Sequence, residues 1–426
     1  MCRSAASRWP ARRQPSDVTT RASRDDDIGD SAIKCDVAVI GAGPAGFSFA
    51  RSLANTGLNI VVVEKLPARV LANPPMDGRD IALTHLSVEI LKELDVWPLF
   101  PAGSISAIKQ ARVLDGRSPY FLHFDHNDTG KSALGYIVSN HLIRKALYKS
   151  LDGFSNIRLI AGVEATSVAT DGSGASFGLS NGQTLAASLI VAADSRFSET
   201  RRKMGISASM QDFSRVVVVC RMKHDMPHDG IAYECFHYER TLAVLPLGGN
   251  KSSIVVTLPA NACEALLTMS KAAFNEDIRK RFDNRLGKME LIGRRFPYPL
   301  VAVHADRFVA PRFALIGDAA VGMHPVTAHG FNLGLRGQNT LAKKIRSAHE
   351  RNIDIGSRAV LVNYQSVHRR ITRPLYLGTN ALVKLYTSEG LQAKIARMAM
   401  LRLGNNLWPI KRGIMAQLTE IGSLSA

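Results

Sequence analysis

The chain has 426 residues, of which 46% are hydrophobic and 21% charged, a composition typical of a globular protein with more than one lobe and not of a disordered, collagen-like or coiled-coil chain. No apolar run approaches the ~18 residues of a membrane-spanning helix, and five scattered cysteines without a Cys-x-x-Cys pair favour neither a disulfide framework nor a zinc site. The net charge of +18 is concentrated at the ends, with +5 in residues 1–24 and +11 in residues 336–426. This distribution predicts a basic tail and a basic docking surface, and it argues against a nucleic-acid partner.

Residues 1–33 are rich in Arg, Ser, Ala and Asp and show no apolar periodicity. Such a segment buries too little surface to offset its ordering entropy, so we expect a disordered extension outside the fold. An Arg-rich, Ser-rich and acid-poor stretch is also typical of a mitochondrial targeting segment, and both interpretations stay open.

A strand–helix–strand unit follows the extension. Residues 36–40 predict a buried strand, residues 47–55 a helix, and residues 60–63 a second buried strand that ends at Glu64. This is the context that a dinucleotide-binding fingerprint requires.

The turn between the first strand and the helix carries the pattern Gly41-x-Gly43-x-x-Gly46. Gly41 permits the tight turn, Gly43 lets the backbone approach a pyrophosphate, and Gly46 lets the helix pack closely on the strand. The start of that helix favours a phosphate anion, and Glu64 can accept hydrogen bonds from both ribose hydroxyls. The chain has one such fingerprint, whereas a two-nucleotide reductase would show a second.

The remaining elements are predicted from periodicity and turn residues. They are, in chain order, a helix at residues 86–94, paired strands at 111–124, a helix at 140–151, strands at 157–168, 175–185 and 189–193, strands at 216–221, 233–238, 242–245 and 253–258, a last buried strand at 313–316, and helix from residue 330 nearly to the end. The strands of the middle region predict a mostly antiparallel sheet.

A second candidate cofactor segment begins after the last buried strand. Gly317-Asp318 ends that strand, and a loop with Pro325 leads to a helix start at Gly330 and Asn332. The acid can hold a polyol such as a ribityl chain, and a helix N-terminus near a flavin ring would stabilise the anionic reduced form. On its own, a Gly-Asp pair is equally consistent with an ordinary turn.

Six ordered blocks between residues 34 and 415 resemble the FAD-dependent aromatic hydroxylases of the p-hydroxybenzoate hydroxylase type. Among these the chain is most similar to the ubiquinone-biosynthesis hydroxylases, near the demethoxyubiquinol hydroxylase branch. The blocks lie at residues 39–46, 77–83, 134–140, 194–201, 242–247 and 314–336. The fifth block matches the sheet that walls the substrate site of this family.

The resemblance implies an α/β fold: a Rossmann-like FAD-binding domain, an interleaved and mostly antiparallel β-sheet substrate domain, and a C-terminal helical segment. The implied FAD-binding segments are residues 34–110, 135–208 and 301–350, the substrate-domain segments are 111–134 and 209–300, and the C-terminal helices are 351–426. The residues implied to bind FAD are Gly41, Gly43, Ala45, Gly46, Glu64, Lys65, Arg79, Asn140, Asp194, Gly317, Asp318, Gly330 and Asn332.

The family chemistry implies NADPH or NADH as a transient reductant of FAD, then a flavin hydroperoxide that attacks an electron-rich ring. The implied substrates are oxygen and a polyprenyl phenol or quinol such as demethoxyubiquinol. Pro325 and His329 are the candidate catalytic residues in the flavin-ring loop, and the alternative for His329, favoured on general grounds for histidine, is a structural hydrogen bond. No metal is expected, because the polar residues between His224 and His237 lack a metal-ligand spacing.

Several positions depart from the family pattern: Ser195 replaces a Gly, Val321 a His, Ala328 a Gly, and Gly337 an Asp. Ser195, Val321 and Ala328 support one alternative, a non-catalytic FAD-containing assembly subunit of a quinone-synthesis complex. A second alternative is a flavin monooxygenase acting on another aromatic substrate.

Apolar and basic residues mix along the C-terminal helices, as at Leu377, Lys384, Arg397, Arg402 and Lys411. This pattern is consistent with a surface that docks on an anionic membrane, where a polyprenyl substrate resides, or with ordinary helices that pack on the core. With the resemblance, it leads us to expect a cytoplasmic protein peripheral to a bacterial inner membrane. The alternative is the matrix face of the mitochondrial inner membrane.

Overall fold

A computed structural model describes residues 32–116, 120–236, 240–324, 329–387 and 390–421. Residues 1–31 of the predicted extension lie outside these ranges, as do Pro325 and Ala328.

Strands with helices interspersed fill the chain up to residue 322, and helices follow. The strands are β1 (Ile33–Ile40), β2 (Ile60–Glu64), β3 (Asp80–Leu83), β4 (Ser106–Ile108), β5 (Gln110–Asp115), β6 (Phe121–Asp125), β7 (Gly135–Ser139), β8 (Ile157–Ala161), β9 (Ala169–Thr170), β10 (Ala175–Gly178), β11 (Thr184–Ala192), β12 (Ala208–His224), β13 (Ile231–Phe236), β14 (Thr241–Leu247), β15 (Lys251–Pro259), β16 (Met289–Ala305), β17 (Val309–Ala310), β18 (Phe313–Leu315) and β19 (Val321–Gly322). The helices are α1 (Pro44–Ser52), α2 (Ala68–Ala72), α3 (His85–Glu93), α4 (Asn140–Lys149), α5 (Glu199–Lys203), α6 (Cys263–Thr268), α7 (Lys271–Arg281), α8 (His329–Glu350), α9 (Arg358–Thr387), α10 (Leu391–Asn406) and α11 (Trp408–Thr419).

The first sheet has the strand order β17-β18-β11-β1-β2-β8, with β9 and β10 added beside β11. Strands β18, β11, β1, β2 and β8 are parallel neighbours, and the central ones are buried apolar runs packed beneath α1 and α8. Because the strands are parallel, their carboxyl ends share one edge of the sheet, where ligands bind in folds of this kind.

The second sheet has the order β19-β16-β12-β15-β14-β13-β5-β6 and is antiparallel except for the β13–β5 pair. One face is buried under α6 and α7 through Leu266, Phe274, Ile278 and Phe282. Part of the opposite face meets the small antiparallel sheet β3-β7-β4 and the C-terminal helices α10 and α11.

One strand in each sheet differs from the sequence-based expectations. The strand expected at residues 157–168 ends at Ala161, because Gly162 turns the chain with φ of +81°. The long strand β16 was not predicted, since Pro297 and Pro299 argue against a strand. Within the described ranges, β16 pairs with β12 on one side there and meets β19 only at Val303 and His304, so the prolines lie at an edge.

The helical C-terminal stretch and the α/β fold class are confirmed. Helix α9 packs along α8, and α10 packs beside β6 and α11. None of the described helices is both long enough and apolar enough to cross a membrane.

Candidate functional site

The Gly41–Gly46 turn leaves no room for side chains at two of its glycines. Gly41 has φ of +106°, and a Cβ there would lie 2.6 Å from the Ala193 carbonyl oxygen. A Cβ on Gly46 would lie 1.9 Å from the Gly41 carbonyl oxygen. By contrast, a Cβ on Gly43 would meet nothing within 4 Å, so the backbone there is open to a ligand, as a pyrophosphate requires.

Glu64 is held at the end of β2 by backbone amides. The Ala42 amide donates to Oε2 (2.7 Å) and the Leu66 amide donates to Oε1 (3.0 Å). The carboxylate remains partly exposed beside the exposed Lys65, and its other lone pairs can accept from ribose hydroxyls.

Asp194 follows β11 next to the glycine turn. Its Oδ2 accepts from the Thr200 amide (3.3 Å), while its Oδ1 is buried without a hydrogen-bond partner among the described residues. An unsatisfied buried carboxylate oxygen is costly, so this atom is suited to accept a hydrogen bond from a ligand.

The second glycine segment lies directly against the first. A Cβ on Gly317 would lie 2.7 Å from the Ala45 Cβ, and a Cβ on Gly334 would lie 3.4 Å from the Gly317 Cα. The end of β18, the start of α1 and the first turns of α8 therefore meet at Gly317. Asp318 is partly exposed beside this junction, with the Arg196 guanidinium 3.5 Å from its carboxylate.

The segment at residues 77–80 joins the site to the second sheet. The Asp77 carboxylate accepts from the Arg79 guanidinium (2.6 Å) and the Asn140 amide (2.7 Å). Burial raises the pKa of Asp77, but the guanidinium and these hydrogen bonds outweigh it and hold that pKa below its ordinary value. The Tyr298 hydroxyl donates to the Asp77 carbonyl (2.6 Å), and its ring lies under Arg79.

Arg221 makes a second link between β12 and this segment. Its guanidinium donates to both carboxylate oxygens of the buried Asp80, and it also contacts the Ser139 hydroxyl. Neither Arg221 nor Tyr298 is among the site residues predicted from the sequence. The lone Arg in the apolar run of β12 and the Pro-Tyr-Pro in β16 were the available signals.

The side-chain amide of Asn332, in α8, forms hydrogen bonds with the backbone at the end of β3. Its side-chain oxygen accepts from the Thr84 amide (3.1 Å), and its side-chain nitrogen donates to the Ala82 carbonyl (2.9 Å). The Thr84 hydroxyl donates to Glu420 (2.7 Å), which also pairs with Arg336 (2.8 Å). This network fastens the end of α11 beside the predicted flavin segment.

The two histidines of the flavin-ring loop are both buried. His324 contacts the edge of Phe213 with 4.9 Å between ring centroids, and burial lowers its pKa to about 4, so it is neutral at pH 7. His329 is buried in the first turn of α8 next to Gly330. Pro325 lies outside the described residues, so the catalytic roles of Pro325 and His329 stay predictions.

His224 and His228 form hydrogen bonds within the second-sheet region. His224 contacts the Met226 carbonyl and the Ser252 hydroxyl, and His228 contacts the Leu247 carbonyl. Across the described ranges, no group of three potential ligands could hold a metal ion.

Two of the four departures have local explanations, and nothing in the structure explains Val321. Ser195 has no positive φ, so its backbone position does not require glycine. A Cβ on Gly337 would lie 2.6 Å from the His368 Nε2, so an Asp there would clash with α9. Ala328 lies outside the described residues.

Comparison with known proteins agrees with this geometry. The family profile described as FAD binding domain matches residues 34–373. Ubiquinone hydroxylase UbiM of Neisseria meningitidis is 45% identical over 392 residues, 91% of this chain and 85% of that protein. Ubiquinone hydroxylase UbiL of Rhodospirillum rubrum is 33% identical over 380 residues, 89% of this chain and 88% of that protein.

The fold is shared with solved structures. The crystal structure of p-nitrophenol 4-monooxygenase PnpA from Pseudomonas putida matches with a TM-score of 0.73 and 17% identity, over 91% of this chain and 99% of that one.

The site at the shared edge of the parallel strands fits FAD. It offers the open backbone of Gly43, the oriented carboxylate of Glu64 and the unsatisfied carboxylate oxygen of Asp194. The chain belongs to the FAD-binding-domain family of flavin-dependent monooxygenases and, within it, to the ubiquinone hydroxylases.

Proposed function

We propose that this FAD-dependent monooxygenase hydroxylates the aromatic ring of a polyprenylated ubiquinone precursor, such as demethoxyubiquinol, with NADPH or NADH as reductant. One observation carries the proposal: two proteins named ubiquinone hydroxylases align with about nine tenths of the chain, the first at 45% identity. Both glycine segments and the polar residues between them lie within residues 34–373, which match the FAD binding domain profile.

Different residues of the site are suited to different parts of FAD. The Gly41–Gly46 turn, Glu64 and Asp194 are suited to the ADP half of FAD, and Arg79 with Gly317-Asp318 to the remainder. When bound, the flavin supplies hydride acceptance and oxygen activation. The protein's part is to bind, orient and exclude water, which agrees with the scarcity of nucleophile–base pairs in the sequence.

One face of the second sheet is the proposed contact surface for the substrate. The face turned away from α6 and α7 reaches the 77–80 segment through Arg221 and Tyr298. Much of it is apolar and only partly covered, as at Val113, Leu245 and Val255. An apolar wall opposite a flavin segment suits a prenylated ring.

The C-terminal helices support membrane docking. Large apolar side chains are exposed on them at Leu377, Leu403 and Leu418, and the basic residues Arg373 and Arg402 are exposed nearby in sequence. Such a surface binds anionic lipid through apolar burial and charge together. Membership of a quinone-synthesis complex is a further part of this proposal.

The test is oxygen incorporation by the purified FAD-loaded protein. With a short-chain prenylphenol, NADPH or NADH and ¹⁸O₂, one labelled oxygen atom should appear in the ring product. Reductant consumption without label would indicate a reductase. Flavin that NAD(P)H cannot reduce in the presence of the phenol would favour the assembly-subunit alternative. Label in other phenols but not in prenylphenol would favour another aromatic substrate.

A further inference from the structure

One carboxyl group stands in an apolar row that crosses the second sheet. Residues paired in register lie on the same face of a sheet. The pairings connect seven strands through Phe296, Val219, Val255, Ala243, Glu234, Val113 and Leu122. Glu234 is the one ionisable member of this row.

Glu234 points away from the helix-covered core. Its neighbours along β13, Tyr233 and Cys235, belong to the cluster beneath α6 and α7, and the Tyr233 ring meets Phe282 at 5.0 Å. Because successive side chains of a strand alternate between faces, Glu234 lies on the opposite face. Ala243, its partner on β14, belongs to the block that resembles the wall of the substrate site.

The two ends of the row locate Glu234 in the molecule. At one end, Phe296 touches the predicted flavin segment, since a Cβ on Gly78 would lie 2.4 Å from its ring. At the other end, Leu122 touches α10, where a Cβ on Gly404 would lie 3.5 Å from its methyl groups. Glu234 therefore lies between the flavin segment and the C-terminal helices.

Among the described residues, the carboxyl group of Glu234 makes no hydrogen bond and no ion pair, although it is partly accessible to water. Burial beneath the neighbouring side chains raises its pKa to about 8, which favours the neutral form of the group. A neutral carboxyl group both donates and accepts a hydrogen bond, which is the complement of a phenol hydroxyl.

We propose that Glu234 is the hydrogen-bonding anchor for a ring hydroxyl of the aromatic substrate, while the apolar row accommodates the rest of the ring. This inference rests on the proposed function and adds a specificity-determining residue to it. A site that pairs a hydroxyl with a buried polar group rejects the analogue that lacks the hydroxyl, because the group is then left unsatisfied.

The test compares 3-prenylphenol with its methyl ether as probes of the FAD-loaded protein. Binding is followed by perturbation of the flavin spectrum, and KM and kcat by prenylphenol-dependent oxidation of NADPH or NADH. The variants are Glu234→Leu, which removes the polar group, and Glu234→Gln, which keeps its shape and its hydrogen-bonding capacity. Glu290→Gln is the matched control, because Glu290 is a carboxylate of the same sheet that pairs with Lys223 and Lys271 at the surface. Thermal unfolding and flavin content accompany each variant.

Wild type and Glu290→Gln should bind the phenol about tenfold more tightly than the ether. Glu234→Leu should lose this preference with a matching rise in KM, and Glu234→Gln should retain part of it. A preference that survives in Glu234→Leu would overturn the anchor and leave the proposed function standing. If the leucine variant does not fold, a preference in Glu234→Gln that is undiminished from the wild type would overturn it in the same way. A wild-type protein that binds neither probe would contradict the proposed function, and the anchor with it.

Discussion

At Gly337 a single missing side chain sets the distance between two helices. A Cβ there would meet the ring of His368, which is buried on α9 and stacked on Tyr364 with 5.7 Å between centroids. Displacing a ring that is buried and stacked in this way requires free energy. The family's Asp at this position is therefore incompatible with His368, and the two residues are expected to change together.

Replacing Gly337 by Ala should lower the free energy of unfolding by about 1–3 kcal/mol, because the added methyl group overpacks the α8–α9 contact. The matched control is Gly378→Ala on α9, where a Cβ would meet nothing within 4 Å and the better helix propensity of Ala should stabilise slightly. Urea unfolding of both variants measures the difference. Equal stability of the two would contradict this account of Gly337.

His368 should make the protein sensitive to acid. Burial lowers its pKa to about 3, with Arg336 acting in the same direction. A base whose folded pKa lies below its unfolded value of about 6.5 contributes stability above pH 6.5 that is lost as pH falls toward 3. His368→Phe keeps an aromatic ring and removes the titration. Its unfolding temperature should therefore fall less than that of the wild type between pH 7 and pH 4, and parallel curves would show that His368 does not titrate with folding.

At the scale of elements, the parallel core was predictable and the contacts between elements were not. The strand–turn–helix of residues 36–55 follows from local periodicity and glycine spacing, and β1 and α1 confirm it. By contrast, the ion pair of Arg221 with Asp80 joins residues 141 positions apart, and no local pattern encodes such a pairing. The contact between Gly317 and Ala45 could be inferred only through family resemblance, because these residues too are far apart in the sequence.

The C-terminal helices show the same limit. The basic surface expected on α10 included Arg397, but its side chain is buried, its guanidinium lies 3.6 Å from the Asp115 carboxylate, and it donates to the Leu385 carbonyl (2.9 Å). That part of the expectation is wrong, because the helix turns this arginine toward β5. Arg397 is instead a fastening between α9, α10 and the second sheet.

Arg397→Met should destabilise the protein by about 1–3 kcal/mol, since it leaves the mostly buried Asp115 carboxylate without its cation. The backbone amides of α10 should exchange with deuterium faster, because the helix loses its attachment to the sheet. The exposed Arg402→Met on the same helix serves as the control and should have little effect on either measurement. Similar exchange in both variants would show that Arg397 does not fasten α10.

At the scale of the whole molecule, charge and exposed apolar area coincide at one end of the chain. Leu377, with 57% of its surface exposed on α9, should help to insert this end into a membrane surface. Flotation with anionic vesicles at low salt should recover the wild-type protein, with recovery falling as salt screens the basic residues.

Leu377→Glu should weaken that recovery several-fold through lost apolar burial and charge repulsion. Met226→Glu is the matched control, because Met226 is 52% exposed in the second-sheet region. The substitution adds the same negative charge outside the docking surface. Equal recovery of the two variants, or no flotation of the wild type, would contradict docking through the C-terminal helices.

The most direct test of the central claim is quinone profiling in living cells. Three bacterial hosts, each blocked at a different ring hydroxylation of ubiquinone synthesis, would express this chain, and their quinones would be measured by mass spectrometry. Restored ubiquinone in at least one host is the predicted result, and the host that recovers identifies the ring position. An absence of ubiquinone in all three, with soluble and flavin-loaded protein present in each, would contradict a role in ubiquinone ring hydroxylation.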